Sequence, residues 1–273
     1  MLKRIVLILS VVVLFSGCAN KQKFNAQLRE AVRENPQILL DVLDENSEAL
    51  LAILDRGIKE REEQKRLGEF ESEIKNPLQP RIWDERIMLG NADAPVTIVE
   101  YSDFLCPYCS KGASVVSRLA TEQPEKYRLF FKHLPLHKES RELALFYEAI
   151  ARIDKEKAYR FHNLAFAQQK ALYEDKTGAV LKKIIQEINI DPADLQESIN
   201  SKQVLEFLVD DEQEAKRFKI NGTPTFLVNG VAIRGYVPVD RFEETVDLIL
   251  KEENKSKAET QDGEICEDCL NQK

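Results

Sequence analysis

The sequence predicts an α/β domain with an inserted helical subdomain, preceded by an α-helical region. Short β-branched runs begin near residues 96, 127 and 223, and several helical patterns lie between the second and third runs. The chain has 273 residues, 43% hydrophobic and 32% charged, which is typical of one large or two modest folded domains. Its net charge of −8 gives no electrostatic footprint for nucleic acid, so no nucleic-acid partner is expected. Its one long apolar stretch is N-terminal, which excludes a polytopic membrane protein.

The first 18 residues have the pattern of an export signal. Lys3 and Arg4 precede an apolar run over residues 5–15, which is too short to span a bilayer. Small residues then lead to Cys18, which resembles a bacterial lipobox: residues 1–17 are the signal peptide, and Cys18 becomes the lipidated start of the mature chain. A plain secretory signal and an uncleaved anchor are the alternatives. Either way we expect a bacterial cell-envelope protein that faces the periplasm or the cell exterior.

Residues 18–80 predict a helical region that differs from the rest of the chain. Apolar residues recur at helical spacing along it, and Asn35-Pro36 separates the first helix from the second. Ser47 is a candidate N-cap for a third helix. The apolar stripes are thin, so these helices need a partner to bury them. We expect a homo-oligomer formed through residues 21–75, and the alternative is a solvated spacer that holds the main domain off the membrane.

The main domain is predicted over residues 81–254, after a linker at Asn76-Pro77. β-branched runs predict strands at 96–101, 127–134, 223–228 and 231–234. Apolar periodicity predicts helices at 110–119, 139–152, 155–172, 177–188, 191–217 with a break around residue 200, and 238–251. Asn229-Gly230 is a strong hairpin signal between the last two strands. The helices over about 139–217 form the insertion, and residues 255–273 are predicted to be a mobile tail.

The motif that carries chemistry is Cys106-Pro107-Tyr108-Cys109, which follows the first strand and opens a helix. Two intervening residues place the sulfurs one helical turn apart, within reach of a disulfide. Unpaired N–H groups at a helix N-terminus stabilise a thiolate, so Cys106 is predicted to be the exposed, acidic nucleophile. Cys109 faces inward and resolves a mixed disulfide. A structural disulfide and half of a zinc site are the alternatives.

Two further features accompany this motif. Glu100 lies six residues before Cys106, in the strand under the helix, where a partly buried carboxylate could move a proton to or from Cys109. A solvent-facing position is the alternative. Thr223-Pro224 opens an apolar strand, and its proline cannot donate to a sheet, so it marks an edge or a special turn whose peptide bond can be cis. An ordinary proline at a strand entry is the alternative.

Residues 96–251 resemble the DsbA-like thiol–disulfide oxidoreductases of the thioredoxin superfamily. The resemblance rests on the run Glu100-Tyr-Ser-Asp-Phe-Leu-Cys106-Pro-Tyr-Cys109 and on Gly222-Thr223-Pro224-Thr225-Phe226. It implies a thioredoxin fold with a helical insertion and a protein disulfide oxidoreductase or isomerase. The residues it implies for the site are Cys106, Cys109 and Glu100 for catalysis and Thr223, Pro224, Pro107 and Tyr108 for substrate contact. It also implies cysteine-containing protein substrates, a membrane redox partner and no cofactor or metal. The N-terminal helices resemble, more loosely, those that join protomers in ScsC-type relatives.

The direction of the redox reaction stays open in the sequence. The dipeptide between the cysteines lacks the histidine of DsbA itself, and Thr223 resembles the residue found in isomerase-like and reductase-like members. Oxidation, isomerisation and reduction of disulfides are therefore all compatible with the motif. Two rival functions are a copper metallochaperone that uses the CxxC thiolates and a holdase that acts through the N-terminal helices.

We expect the remaining cysteines and the three histidines to have structural roles or none. Cys266 and Cys269 form a second CxxC among acidic residues that disfavour a thiolate, which favours a local disulfide or no role. A soft-metal site and an electron relay to Cys106 and Cys109 are the alternatives. The three histidines, His133, His137 and His162, are expected in solvent or in core packing rather than on a metal.

Overall fold

The structure is a computed structural model that describes residues 21–268, with side chains described for residues 23–255. The predicted signal peptide, the predicted lipidation site at Cys18 and the second cysteine of the tail, Cys269, lie outside the described residues. The side chain of Cys266 lies outside them as well. The chain divides into two compact units at Leu67 and Gly68. The second unit therefore begins inside the helical region rather than at residue 81, where the sequence places the boundary.

Helices make up the described part of the first unit. They are α1 (Lys21–Glu34), α2 (Gln37–Glu45) and α3 (Ser47–Lys75), and α3 continues into the second unit. Asn35 and Pro36 separate α1 from α2, as predicted, because proline cannot continue the hydrogen-bond ladder of a helix. Large apolar side chains are exposed along these helices: Phe24, Leu28, Ile38, Leu39, Leu40, Val42, Leu43, Leu51, Ile53, Leu54, Ile58 and Leu67.

The second unit is built on a five-stranded mixed sheet in the order β1-β3-β2-β4-β5. The strands are β1 (Met88–Gly90), β2 (Val96–Ser102), β3 (Tyr127–His133), β4 (Thr225–Val228) and β5 (Val231–Arg234). β2 is central, parallel to β3 and antiparallel to β4, while β1 and β5 are antiparallel edges. The sequence predicts every strand except β1. The three half-buried residues of β1 are too few to show an alternating pattern.

Eight helices of the described chain follow or separate these strands. They are α4 (Pro107–Glu122), α5 (Ser140–Ile153), α6 (Lys155–Ala167), α7 (Gln169–Glu174), α8 (Ala179–Glu187), α9 (Pro192–Ile199), α10 (Lys202–Arg217) and α11 (Val239–Asp268). The insertion runs from α5 to α10, and the helix predicted at 155–172 is two helices, α6 and α7. None of the described helices is long and apolar enough to cross a membrane.

The last helix is longer than the sequence predicts. Helical backbone in α11 runs to Asp268, through residues that we predict as a mobile tail beginning at residue 255. The prediction ended the helix where its apolar stripe ends, near Lys251. The sequence between that point and Asp268 contains no proline, so backbone hydrogen bonding continues without an apolar face.

The sheet is covered on both faces. On one face, Val96 and Ile98 of β2 share a core with Val116 of α4 and Val246 of α11. On the other face, Val99 and Tyr101 of β2 share a core with Ala215 of α10. The central strand is therefore buried on both sides, and the residues at its C-terminal end are held in a water-excluded setting.

The end of α3 belongs to the second unit. Phe70 and Ile74 pack against the core under β2 and α11. The Glu73 carboxylate accepts a hydrogen bond from the Ala232 backbone N–H of β5 at 2.8 Å and pairs with Arg234 at 2.5 Å. This last turn of α3 therefore lies along the β5 edge of the sheet.

A buried network of charged side chains ties the insertion to the sheet. The Arg86 guanidinium donates to Glu148 of α5 at 3.1 Å and to Asp211 of α10 at 2.7 Å. On β3, Lys132 pairs with Asp211 at 3.4 Å and with Glu214. The sequence gives no sign of this network, because its members are far apart in the chain and charged residues on helices are usually exposed.

Candidate active site

Cys106 and Cys109 lie where the sequence predicts, at the N-terminus of α4. Cys106 is the N-cap residue with an extended backbone, and Pro107 occupies the first turn. Both cysteines are free thiols. Only 8% of the Cys106 surface is exposed, which is less than predicted, because the residue packs under the loop that precedes β4. Cys109 is fully buried and accepts a hydrogen bond from the Asp103 backbone N–H at 3.4 Å.

The two thiols differ strongly in acidity. A hydrogen bond from the Cys109 thiol lowers the pKa of Cys106 to about 5, against the effect of burial. The Thr223 side chain and the N–H groups of Cys109 and Tyr108 assist. Burial raises the pKa of Cys109, and the hydrogen bond to Cys106 and the negative charge of Glu100 raise it further. At neutral pH the pair therefore presents one thiolate, at Cys106, next to one protonated thiol.

The loop before β4 faces this thiolate. The Cys106 thiol, when protonated, donates to the Thr223 carbonyl at 3.4 Å, and the Thr223–Pro224 peptide bond is cis. The structure thus brings together the two motifs that lie more than a hundred residues apart in the sequence. Gly112 of α4 permits this approach, because a Cβ there would lie 2.7 Å from the Phe226 ring and 3.2 Å from the Pro224 ring.

The dipeptide between the cysteines lies at the surface. Pro107 is exposed, and 60% of Tyr108 is exposed. The Lys111 ammonium lies 5.7 Å from the centre of the Tyr108 ring and 5.8 Å from that of Tyr236. Tyr236 follows Gly235, whose N–H donates to the Pro224 carbonyl at 2.8 Å. The surface around Cys106 is therefore aromatic and carries a positive charge.

Glu100 is fully buried in β2, so the solvent-facing alternative does not apply. One oxygen, Oε1, accepts a hydrogen bond from the Ser102 hydroxyl at 2.9 Å. The other, Oε2, has no hydrogen-bond partner among the described residues. Burial raises the pKa of Glu100 to about 8, and the Ser102 hydrogen bond opposes the shift. A carboxyl group with this pKa, close to Cys109, can both take up and release a proton near neutral pH.

Asp103 is a site residue that the sequence reasoning missed. Its buried carboxylate accepts hydrogen bonds from the N–H groups of Leu105 at 2.7 Å, Leu136 at 2.7 Å and His137 at 2.9 Å. It also contacts the His137 ring at 2.9 Å and the Ser140 hydroxyl. Asp103 thereby fixes the loop that carries Cys106 to the segment before α5. An aspartate between a buried strand and the CxxC motif was a signal for this role.

Two of the histidines lie in an aromatic cluster behind the cysteines, as core packing predicts. His133 and His162 are buried, and both contact Phe104. His137 is partly exposed, beside Asp103. Among residues with described side chains, no group of three or more His, Cys, Asp or Glu residues is placed to hold a metal ion.

Comparison with known proteins identifies a matching family and a related bacterial protein. A family model described as thioredoxin matches residues 84–248. A Bacillus cereus protein described as a disulfide bond formation protein D is 30% identical over 151 residues, which cover 52% of this chain and 69% of that protein.

Solved structures match over a similar part of the chain. The oxidised form of BdbD from Bacillus subtilis has a TM-score of 0.56 and 27% identity, and the match covers 64% of this chain and 97% of that one. ScsC from Proteus mirabilis, in a transitional conformation, has a TM-score of 0.51 and 19% identity. That match covers 86% of this chain and 97% of that one, and at this identity it shows the fold alone.

Proposed function

Because the chain belongs to the thioredoxin superfamily, as a DsbA-like thiol–disulfide oxidoreductase, we propose that it exchanges disulfides with extracytoplasmic proteins through Cys106 and Cys109. The observation that carries the assignment of these two residues is the arrangement at the start of α4. There a thiolate-forming Cys106 lies beside a protonated Cys109 and faces the Thr223–Pro224 loop.

The proposed reaction proceeds through a mixed disulfide. In the reductive direction the Cys106 thiolate attacks one sulfur of a substrate disulfide, and the other substrate sulfur leaves as a thiolate. Cys109 then passes its proton to the ionised form of Glu100 and attacks Cys106, which releases the second substrate sulfur. The enzyme is left with a disulfide, and the substrate with two reduced sulfurs. Oxidation of a substrate is the same sequence in reverse.

Thr223, Pro224, Pro107 and Tyr108 are the proposed substrate contacts. Thr223 and Pro224 lie beside the Cys106 sulfur, where an extended substrate backbone must pass to present its own sulfur. Pro107 and Tyr108 are exposed directly after Cys106 in the chain. Cysteine-containing proteins, rather than small thiols, are the substrates that such a surface fits.

The potential of the Cys106/Cys109 pair tests the redox direction. A pKa near 5 for Cys106 lies between the values of about 7 in thioredoxin and about 3.5 in DsbA. The potentials of those proteins are about −270 mV and about −120 mV. We therefore expect a potential between these two values, an interval that contains the value of about −180 mV for protein disulfide isomerase.

The measurement uses soluble protein that begins at Ala19, with Cys266 and Cys269 replaced by serine, equilibrated against glutathione. A potential of about −120 mV would make the protein an oxidase, and one of about −270 mV would make it a reductase. The Cys106→Ser variant is the control. Absence of any reversible dithiol–disulfide transition would contradict the proposed function itself.

Export and anchoring are proposed from the N-terminal sequence. Lys3 and Arg4, the apolar run and Cys18 support a lipid anchor in the bacterial cell envelope, where a membrane redox partner would recycle the active site. The wild-type chain expressed in a bacterium should fractionate with membranes and carry lipid on Cys18. The Cys18→Ser variant should carry none, as mass spectrometry of the N-terminal peptide will report. Wild-type protein without lipid on Cys18 would contradict the anchor and leave the redox function untouched.

A further inference from the structure

A side chain of the insertion is hydrogen-bonded to the loop that carries Cys106. Gln169 begins α7, and its Nε2 donates to the Phe104 carbonyl at 2.7 Å and to the Cys106 carbonyl at 2.9 Å. Both partners are carbonyl oxygens, which can only accept, so the amide nitrogen of Gln169 must face them. Its two N–H groups are enough to satisfy one carbonyl each. One side chain thereby holds the backbone on both sides of Leu105.

The Phe104 carbonyl depends on this contact. Phe104 is buried, and among the described residues no other group donates to its carbonyl oxygen. A buried carbonyl without a donor destabilises the conformation that leaves it unpaired. The Cys106 carbonyl also accepts from the Cys109 N–H at 3.0 Å and from the Ser110 N–H at 3.4 Å, as the first acceptor of α4. Gln169 is therefore joined both to the loop and to the start of the helix that follows it.

The break between α6 and α7 coincides with Gln169. Helix α6 ends at Ala167, Gln168 has φ −105° and ψ 18°, and α7 begins at the next residue. Three residues later, Leu172 is buried in the same core as Cys106. The single helix that the sequence predicts here is thus interrupted at the point where the insertion contacts the active-site loop.

We propose that Gln169 is a positioning residue for thiol–disulfide exchange, which holds the Cys106 backbone so that the Cys106 sulfur stays next to the N–H groups of the first turn of α4. The proposal deepens the proposed function and rests on it. Cys106 has an extended backbone with ψ 118°, and this angle sets the direction of its carbonyl relative to its side chain. The same angle sets where the next residues lie relative to the sulfur, because they are attached to that carbonyl carbon. A carbonyl held by Gln169 at 2.9 Å therefore opposes the rotation that would move the first turn away from the sulfur.

The position of the first turn matters for the chemistry of Cys106. The N–H groups of Tyr108 and Cys109 belong to that turn, and their hydrogen bonds to Cys106 lower its pKa. Gln169 is uncharged, so its replacement by another uncharged residue leaves the charge of the site unchanged. Without its hydrogen bonds the first turn and the sulfur can separate, which weakens the stabilisation of the thiolate. The reduced pair then loses stability relative to the disulfide and becomes less oxidising.

The test compares two neighbouring glutamines in the soluble protein used for the potential measurement. Gln169→Met keeps the length of the side chain but has no N–H donor. We expect the midpoint of Cys106 alkylation to rise by about 1 pH unit. The equilibrium with glutathione at pH 7 should shift about tenfold towards the enzyme disulfide, which is about 30 mV. Gln168→Met is the matched control and should change neither value, because the Gln168 side chain makes no hydrogen bond within the described part of the chain.

A second variant keeps the test valid if Gln169→Met loses stability. Gln169→Asn keeps the amide on a side chain that is shorter by one methylene group, so it can reach at most one of the two carbonyls. We expect it to shift the equilibrium with glutathione in the same direction by a smaller factor, about threefold.

Urea unfolding separates positioning from a purely structural role. If both Gln169 variants lose stability but keep the wild-type alkylation midpoint and glutathione equilibrium, the positioning role is overturned. Equal shifts in Gln168→Met would overturn it as well, because they would arise from a general disturbance of α7. Absence of a reversible dithiol–disulfide transition in the wild-type protein would instead overturn the proposed function.

Discussion

At the scale of single residues, the pKa of Cys106 is lowered and that of Glu100 is raised. The two groups therefore have opposite effects on how stability changes with pH. The lowered pKa of Cys106 means that the folded, reduced protein releases a proton that the unfolded chain keeps, so stability rises between about pH 5 and pH 9. The raised pKa of Glu100 means that the folded protein keeps a proton that the unfolded chain releases, so stability falls between about pH 4.5 and pH 8. In reduced protein the two effects largely cancel.

Oxidation removes the contribution of Cys106 to this pH dependence and leaves that of Glu100. In the Cys106–Cys109 disulfide neither sulfur titrates, so we expect the free energy of unfolding to fall by up to about 1.4 kcal/mol per pH unit from about pH 5 to pH 8. Glu100→Gln in the same oxidised state should lose this slope. Urea unfolding at several pH values measures it, and Glu122→Gln on the surface of α4 is the control. An equal slope in Glu100→Gln would assign the pH dependence to other groups.

The acidity of Cys106 is directly measurable. We expect thiolate absorbance and the rate of iodoacetamide alkylation to rise with a midpoint near pH 5, because Cys109 and the first turn of α4 stabilise the thiolate. Cys106→Ser should show no transition in this range, since Cys109 is buried and its pKa is raised. A midpoint above about pH 7 would contradict the hydrogen bonding described here.

The sequence could predict the positions of Cys106, Cys109 and Glu100 because all three depend on one strand and one helix that follow each other directly. Asp103 could not be assigned in the same way. It acquires its partners from the segment before α5. Roles that depend on contacts between distant segments leave no local pattern in the sequence.

At the scale of elements, the approach of α4 to the Thr223–Pro224 loop depends on Gly112. We expect Gly112→Ala to lower the free energy of unfolding by about 1–3 kcal/mol, because the added methyl group meets Phe226 and Pro224. Gly68→Ala on α3 has no neighbour within 4 Å and should be neutral or stabilise by up to about 1 kcal/mol through helix propensity. Equal effects of the two variants in urea unfolding would contradict the tight packing at Gly112.

The contact between the insertion and the sheet depends on the buried charge network. Arg86→Met leaves Glu148 and Asp211 without their shared cation, so we expect a loss of about 3–5 kcal/mol in the free energy of unfolding. Arg118→Met removes only an exposed pair with Glu122 and should cost less than about 1 kcal/mol. Thermal and urea unfolding compare the two. A small loss in Arg86→Met would show that the carboxyl groups take up protons or find other partners.

The sequence pattern predicted whether a segment is a helix or a strand more reliably than it predicted the residue at which the segment ends. β2 and β3 were predictable because β-branched and aromatic runs fill both buried faces. The end of α11 was not, because helical backbone continues past the end of the apolar stripe where no proline interrupts it. The second unit begins at Gly68, before residue 81, because Phe70 and Ile74 of α3 pack against the core of that unit.

At the scale of the whole molecule, the exposed apolar residues of α1, α2 and α3 support the proposed homo-oligomer. We expect soluble protein that begins at Ala19 to sediment as an oligomer, because those residues need burial. Protein that begins at Gly68 keeps the second compact unit whole and should be a monomer that still reduces a small disulfide substrate. Analytical ultracentrifugation and an exchange assay report both properties. A monomeric long form would favour the spacer alternative.

The contact of Glu73 with β5 has a consequence for solubility. β5 is an outer strand, and a free backbone N–H on an outer strand is a template on which another chain can add a strand. The Glu73 carboxylate accepts the hydrogen bond of the Ala232 N–H, so this group cannot pair with another chain. The last turn of α3 therefore opposes the addition of a strand from a second molecule at the β5 edge of the sheet.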